Sequence, residues 1–412
     1  MQQYNNNMKK YLPLVFITIL LFASIFAQAT GQSINNEAAP KEKTGMIDDL
    51  DFEQKINQLM KFGHLPSISI CLIKNNTVVL SKGYGFSDIR NKKKATDTTI
   101  YPVASITKTI TATAVMQLCE KGHFDLDDNV SKYLPFDLKN PRYPNVNITF
   151  RMLLAHQSSL ADTGNRYSIY FSHLNYPYSW LKEYLLPNGK IYSPRIWLKY
   201  PPGQDVHYSS INMEVLAYLV ERIANQPFDE YCEEHILQPL DMKNTSWHLE
   251  NFDMNDFAVP YVWRAGIYFK FPIFEYHCYG CGGIWTNVLD LSNYLIAYMN
   301  DGEYNGARIL EEETVKLMET LQYPDSYDGK VRYGLGWYFW NESDGKIYGG
   351  HAGTYPGSWA SMTMCLSDKT GAIHFENQNH YFVHNSLNPT IRMQNYVRNE
   401  LREVLFAEAY EL

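Results

Sequence analysis

Apolar residues at Phe52, Ile56, Leu59 and Met60 recur at helical spacing after Asp51, and the pattern predicts a helix. Ser67 to Ile73, a polar turn at Lys74-Asn75-Asn76 and Thr77 to Leu80 then predict a β-hairpin. Between Ser105 and Asp301 the periodicity is mostly helical, broken by Pro-rich and Tyr-rich loops. Strand patterns return at Tyr333 to Trp340, Lys346 to Gly349, Ser358 to Leu366 and Ala372 to Asn377, before a closing helix from about Asn388 to Phe406. Hairpins imply antiparallel pairing, and strands at both chain ends with helices between them imply a sheet closed by the two termini. The expected class is therefore α+β: an antiparallel sheet built from both chain ends, flanked by helices, with a mainly helical insertion at about 105–300.

The first residues follow a different pattern. A polar start ending in Lys9 and Lys10, an apolar run from Tyr11 to Ala27 and the small-residue site Ala27-Gln28-Ala29 predict a signal peptide over 1–29. A polar, aperiodic stretch over 30–49 reads as a linker, and the folded domain is expected over 50–412. The expected location is secreted or extracytoplasmic. The apolar run is also near the length of a membrane span, so an uncleaved anchor is the alternative and the one membrane contact foreseen.

Composition narrows the function classes. The chain has 412 residues and is 45% hydrophobic, enough for a substantial core. Its formal net charge of −8 becomes −10 without the two leader lysines, which leaves no basic footprint for nucleic acid. Six cysteines are too few for a disulfide scaffold. Cys278 and Cys281 form a C-x-x-C beside His277, but zinc needs a fourth ligand that no neighbour in sequence supplies. A local disulfide or two packed thiols is expected, with no metal and no cofactor.

The chemistry-bearing candidate is Ser105-Ile-Thr-Lys108. The same Ser-x-x-Lys spacing occurs at Ser179 and Ser343, where a capping serine and a snorkelling lysine explain it. Ser105 alone follows a Pro-bearing turn and opens a long apolar pattern (Ile106, Ile110, Ala114, Met116, Leu118). A helix start offers free N–H groups and the positive dipole end, which favour an oxyanion. Residues three apart share a face, so the Lys108 amine reaches the Ser105 oxygen. Burial is expected to lower the Lys108 pKa and make a neutral amine that takes the serine proton.

In this setting Ser105-Ile-Thr-Lys108 resembles the nucleophile motif of the serine β-lactamase and penicillin-binding DD-peptidase superfamily. Four further segments resemble those of its class C β-lactamase-related branch, in order. Leu153-Leu-Ala-His-Gln-Ser-Ser-Leu160 is similar to "LLxHtSGL", and Pro202-Gly-Gln-Asp-Val-His-Tyr-Ser-Ser210 to "PGxxfxYSN". Gly282-Gly-Ile-Trp-Thr-Asn-Val-Leu-Asp-Leu291 is similar to "GGLxSTaxDL", and Gly350-His-Ala-Gly-Thr-Tyr-Pro-Gly357 to "GHxGgxpG".

The resemblance implies roles. Ser105 would be the acylated nucleophile, Lys108 its proton partner and Tyr208 the proton shuttle. His351, where many relatives carry lysine, would hydrogen-bond around Tyr208 or the substrate. Gly353 would let the strand edge approach the substrate, with the backbone N–H groups of Ser105 and Thr354 as the oxyanion hole. Ser210 stands where the family usually has Asn, a side chain that holds the lysine and donates to the substrate amide; Ser is shorter and has one donor. Ser159 replaces a usual Gly, and His156 reads as structural. Aromatic-rich stretches at Arg166 to Tyr200 and Phe257 to Tyr279 are expected either to wall the cleft or to pack under long loops.

The implied activity is an exported serine hydrolase that works through an acyl-enzyme on amide, peptide or ester bonds of a small-molecule or peptide substrate. The alternatives are a carboxylesterase or D-amino-acid peptidase on the same scaffold, or a catalytically silent relative that binds peptide-like ligands.

Overall fold

The structure is a computed structural model that describes residues 51–163, 179–276, 278–322, 331–342, 344–379 and 389–412. The expected leader and linker, His277, Ser343 and the first part of the Arg166 to Tyr200 stretch lie outside the described residues.

Helix α1 (Phe52–Gly63) starts where Asp51 accepts the Gln54 N–H at 2.8 Å and stops at His64, which takes a left-handed conformation. The hairpin follows as β1 (Ser67–Lys74) and β2 (Thr77–Asp88), with a short β3 (Lys93–Lys94) beside β2. Near the C-terminus come β4 (Val331–Tyr333), β5 (Tyr338–Asn341), β6 (Ile347–Tyr355), β7 (Ser358–Cys365) and β8 (Thr370–Glu376). All eight join one antiparallel sheet of order β4-β5-β6-β7-β8-β1-β2-β3. The two ends of the chain meet in its middle, where Ile68 pairs with Glu376 and Lys74 with Thr370. This is the α+β architecture that the pattern of the chain implies.

Strands β1 and β8 are buried along nearly their whole length, because helices cover both faces of the sheet. Residues of opposite parity on β8 face opposite ways. Gly371 points at Leu295 and Met299 of a helix over Val288–Met299, whereas Glu376 meets Arg398 of the closing helix, Pro389–Glu411. Val397 of the closing helix lies against Gly63, so the two terminal helices share a face.

Two boundaries differ from the sequence pattern. The stretch expected as one strand over Tyr333 to Trp340 is a hairpin, β4 and β5, turning at Gly334–Trp337. Gly336 makes the turn possible: its φ is +81°, and a Cβ there would lie 2.2 Å from the Cβ of Ala112. Strand β2 runs eight residues past its expected end at Leu80, through Gly83 and Gly85.

The helix that opens the insertion, α2 (Thr107–Glu120), is buried at every position from Thr107 to Leu118. Its polar residues are therefore matched internally. Thr111 donates to Gly280 O at 2.7 Å, Thr113 shares a hydrogen bond with the Tyr294 hydroxyl at 2.9 Å, and Gln117 donates to His235 O and Ile309 O. Among the described residues no helix is long and apolar enough to cross a membrane.

Candidate active site

The turn that carries Ser105 is pinned on both sides. Tyr101 and Pro102 pair with Thr286 and Trp285, Val103 N–H donates to Ile284 O at 3.1 Å, and Ile284 N–H donates to the Thr107 hydroxyl at 3.3 Å. Ala104 sits at φ +43°, a left-handed conformation that costs a non-glycine residue about 1–3 kcal/mol. Ser105 follows in a 3₁₀ turn, Ala104–Ile106, that feeds α2 and leaves its hydroxyl half-buried.

Lys108, 0% exposed, donates to Ser105 Oγ at 2.8 Å and to the carbonyl of Cys281 at 2.8 Å. Its Nζ lies 5.2 Å from the centre of the Tyr208 ring. Burial lowers its pKa, but the negative charges that Tyr208, Cys281 and Asp162 can carry outweigh burial, and the net direction is upward. The net direction is the reverse of what burial alone would give.

Tyr208 immediately precedes α3 (Ser210–Ala224), and residues distant in sequence set its position. Asp162 accepts from the Ser209 hydroxyl at 2.9 Å, from Ser210 N–H at 3.1 Å and from Ile211 N–H at 3.2 Å, so it caps the helix. His156 O accepts the His207 N–H at 2.7 Å, and His156 Nδ1 faces Ser209 N–H at 3.3 Å and the Asn212 amide at 3.2 Å. The Tyr208 ring lies 4.7 Å from that of His156 and 6.2 Å from that of His351, with 38% of the residue exposed.

His351 is buried, and its Nδ1 lies 2.8 Å from the Ala352 carbonyl. A carbonyl only accepts, so Nδ1 carries the proton and Nε2 keeps its lone pair. Burial first, and the Lys108 charge second, lower its pKa to about 3. His156 is pushed well below the ordinary histidine value by burial, Lys108 and His351. Both histidines therefore stay neutral in the fold while their unfolded counterparts protonate below about pH 6.5. Because the unfolded chain binds the extra protons, stability falls as pH falls from there, by up to ~1.4 kcal/mol per pH unit for each histidine. Denaturation midpoints measured between pH 7 and pH 5 should drop, and His351→Gln should flatten the dependence.

Past Gly350, where its pairing with β5 ends, β6 runs beside the nucleophile turn. A Cβ on Gly353 would lie 1.9 Å from Val103 O and 3.1 Å from Ser105 N, so only glycine allows this approach. Gly353→Ala should cost about 1–3 kcal/mol and depress turnover at least ~tenfold, measured by thermal melts alongside kinetics. Thr354, the next residue, is exposed and pairs on its other side with Trp359 of β7.

The structure thus gathers Ser105, Lys108, Tyr208, His351 and Gly353 around one point, with Thr354 next along the strand. It does not bring the Ser210 side chain to the lysine; the carbonyl of Cys281 takes that place. Three participants were not foreseen in the sequence. Besides Asp162, Cys281 and the buried Glu214 matter, the latter accepting the Cys281 N–H at 2.8 Å. Of the aromatic stretches, Phe274 stacks on Tyr355 at 5.2 Å and Tyr276 packs against Gly282, which fits packing under the loop.

Cys278, Cys281 and Glu214 are the one group of metal-ligand types in close proximity among the described residues, with one donor atom each within 4.8 Å of the others. Three donors are one short of a closed zinc site. Both thiols are free.

The fold agrees with known proteins. Residues 52–394 match the Beta-lactamase family, and the chain belongs to that family of serine hydrolases. It is 26% identical over 339 residues to Protein flp of Staphylococcus aureus (strain MW2), covering 81% of this chain and 64% of the relative, so it spans less than two thirds of that protein. It is 26% identical over 353 residues to a putative D-alanyl-D-alanine carboxypeptidase of Escherichia coli (strain K12), covering 77% of this chain and 78% of that one. Among solved structures, the octameric penicillin-binding protein homologue from Pyrococcus abyssi superposes with a TM-score of 0.66 at 27% identity, over 85% of this chain and 77% of the other.

Proposed function

We propose that this chain is an exported hydrolase that acylates Ser105 with an amide, peptide or ester substrate and releases the acyl group to water. The observation that carries the reading is the buried Lys108, 2.8 Å from Ser105 Oγ and turned toward Tyr208. Lys108 and Tyr208 act as a pair: once the pair has given a proton to solvent, it takes the serine proton as Oγ attacks and returns that proton to the leaving group. The Ser105 Oγ–acyl bond forms as the substrate carbonyl becomes an oxyanion, held by the N–H groups of Ser105 and Thr354. Neutral His351, with Nε2 free to accept, orders the Tyr208 side of the cleft. No metal or nucleotide enters these steps.

The Ser210 position separates substrate classes. Without an amide side chain there, one donor to an acylamide substrate is missing, which favours simple esters and short D-amino-acid peptides over β-lactams. Parallel assays with nitrocefin, p-nitrophenyl butyrate and a D-Ala-D-Ala peptide test this. Hydrolysis of the ester or the peptide supports the reading; efficient nitrocefin hydrolysis alone contradicts the assigned preference.

A further inference from the structure

Behind Lys108 lie three buried side chains to which the proposed hydrolysis gives no chemical step: Glu214, Cys278 and Cys281. Cys278 is the N-cap of a single helical turn, α4 (Tyr279–Gly282), and Cys281 lies within it. The spacing is that of dithiols that cycle with a disulfide, one thiol at the start of a helical turn and the second three residues on. The thiol sulfurs are within 4.8 Å of each other. Cys281 is also the residue that grips the lysine: its carbonyl accepts from Lys108 at 2.8 Å, and its N–H is held by Glu214 at 2.8 Å. The second Glu214 oxygen is buried with no hydrogen-bond partner. Burial raises the Cys281 pKa, but the Cys278 hydrogen bond, Lys108 and Glu214 outweigh it, and the net shift is down; burial leaves Cys278 raised. A thiolate beside a thiol is the reactive form of such a pair.

We propose that Cys278 and Cys281 form a reversible disulfide, and that closing it speeds the acylation of Ser105. The second half rests on the proposed hydrolase reading. Hydrogen peroxide is a sufficient oxidant. The Cys281 thiolate attacks one peroxide oxygen, the O–O bond breaks and hydroxide leaves as water after taking a proton, giving a sulfenic acid. Cys278 sulfur then attacks that sulfur, its proton goes to the departing hydroxide, and the S–S bond forms with loss of a second water. Two electrons pass from the sulfurs to one peroxide, and a dithiol reductant reverses the step.

Activation follows from the charges around Lys108. Tyr208 and Asp162 face it from the α3 side, Cys281 and Glu214 from α4 and α3, and neutral His156 and His351 from the cleft. A disulfide carries no charge, so oxidation removes one negative neighbour of the ammonium. The Lys108–Tyr208 pair then gives up its proton at lower pH and is available as a base over a wider range. The carbonyl of Cys281 remains in place to hold the amine.

The test compares full-length protein treated with a phosphine reductant against protein treated with hydrogen peroxide, then cleared of reagent. Peptide mapping should show a Cys278–Cys281 link with the loss of two hydrogens. Labelling of Ser105 by a fluorophosphonate at pH 6–7 should run about tenfold faster in the oxidised form, the effect of one pKa unit. Cys281→Ser should label fast in both conditions, since it lacks the thiolate but keeps the backbone contacts. Cys278→Ser should label slowly when reduced and form no disulfide with peroxide, stopping at a sulfenic acid on Cys281 that a dithiol reductant reverses. Equal rates in the two redox states, a Cys281→Ser variant as slow as the reduced protein, or zinc retained by freshly purified protein with both thiols shielded would each overturn the switch. Equal labelling overturns only the switch; absence of labelling in both states overturns the hydrolase reading and the switch with it.

Discussion

Ser105→Ala is expected to lower turnover by about 10⁶-fold on any substrate the wild type accepts, because the residues of a nucleophile–base unit act together and loss of the nucleophile removes the covalent route. The half-buried hydroxyl has one hydrogen bond at stake, that from Lys108 at 2.8 Å. Removing it should leave the melting temperature within a few degrees of the wild type, so lost activity would not report lost structure. Steady-state kinetics and thermal melts on the same preparation check both parts. Retained activity in this variant would dismiss Ser105 as the nucleophile.

Lys108→Met carries the second large effect, on the rate far more than on stability. Methionine matches the length of the lysine stem but has no proton to exchange and no donor for Ser105. Acylation should slow by at least ~10³-fold. Among the described residues no carboxylate hydrogen-bonds the buried amine; Ser105 Oγ and the Cys281 carbonyl accept from it, beside the Tyr208 ring. Removing one member of a buried set of charges leaves the others without their counter-charge, which costs stability. The variant should therefore melt below the wild-type temperature yet stay folded, while failing to label with a fluorophosphonate. Wild-type labelling in a destabilised variant would mean that the lysine serves the fold rather than the reaction.

The parts of this account that were legible in the sequence are those set by local spacing. Ser105 and Lys108 lie three residues apart at the start of one buried helix, and the structure joins them. The hairpin and the returning strands carry periodicities that survive burial, and the sheet closes through β1 and β8 as that pattern implies. Glycines blurred the boundaries. Gly83 and Gly85 lie past the expected end at Leu80 yet inside the strand, where a Cβ would meet the Ala95 backbone at 2.4 Å and Pro66 O at 2.1 Å. They are there for close approach of neighbouring backbone.

The electrostatics of the site were not legible. Cys281 lies 173 residues from Lys108, and Glu214 reaches the same spot from a third segment, so no local window holds them together. Reasoning from burial alone gave a neutral lysine; adding the negative neighbours reverses the sign. Asp162 was passed over for the same reason, because its work is done on the N-terminus of a helix that begins 48 residues later.

The central claim, that Ser105 is an activated nucleophile, is tested most directly by incubating the folded protein with a fluorophosphonate and mapping the adduct by mass spectrometry, with Ser105→Ala alongside. One phosphonyl group per chain on the peptide containing Ser105, absent from the variant, is the predicted result. A wild type left unmodified in both redox states, or equal modification of the variant, would contradict it.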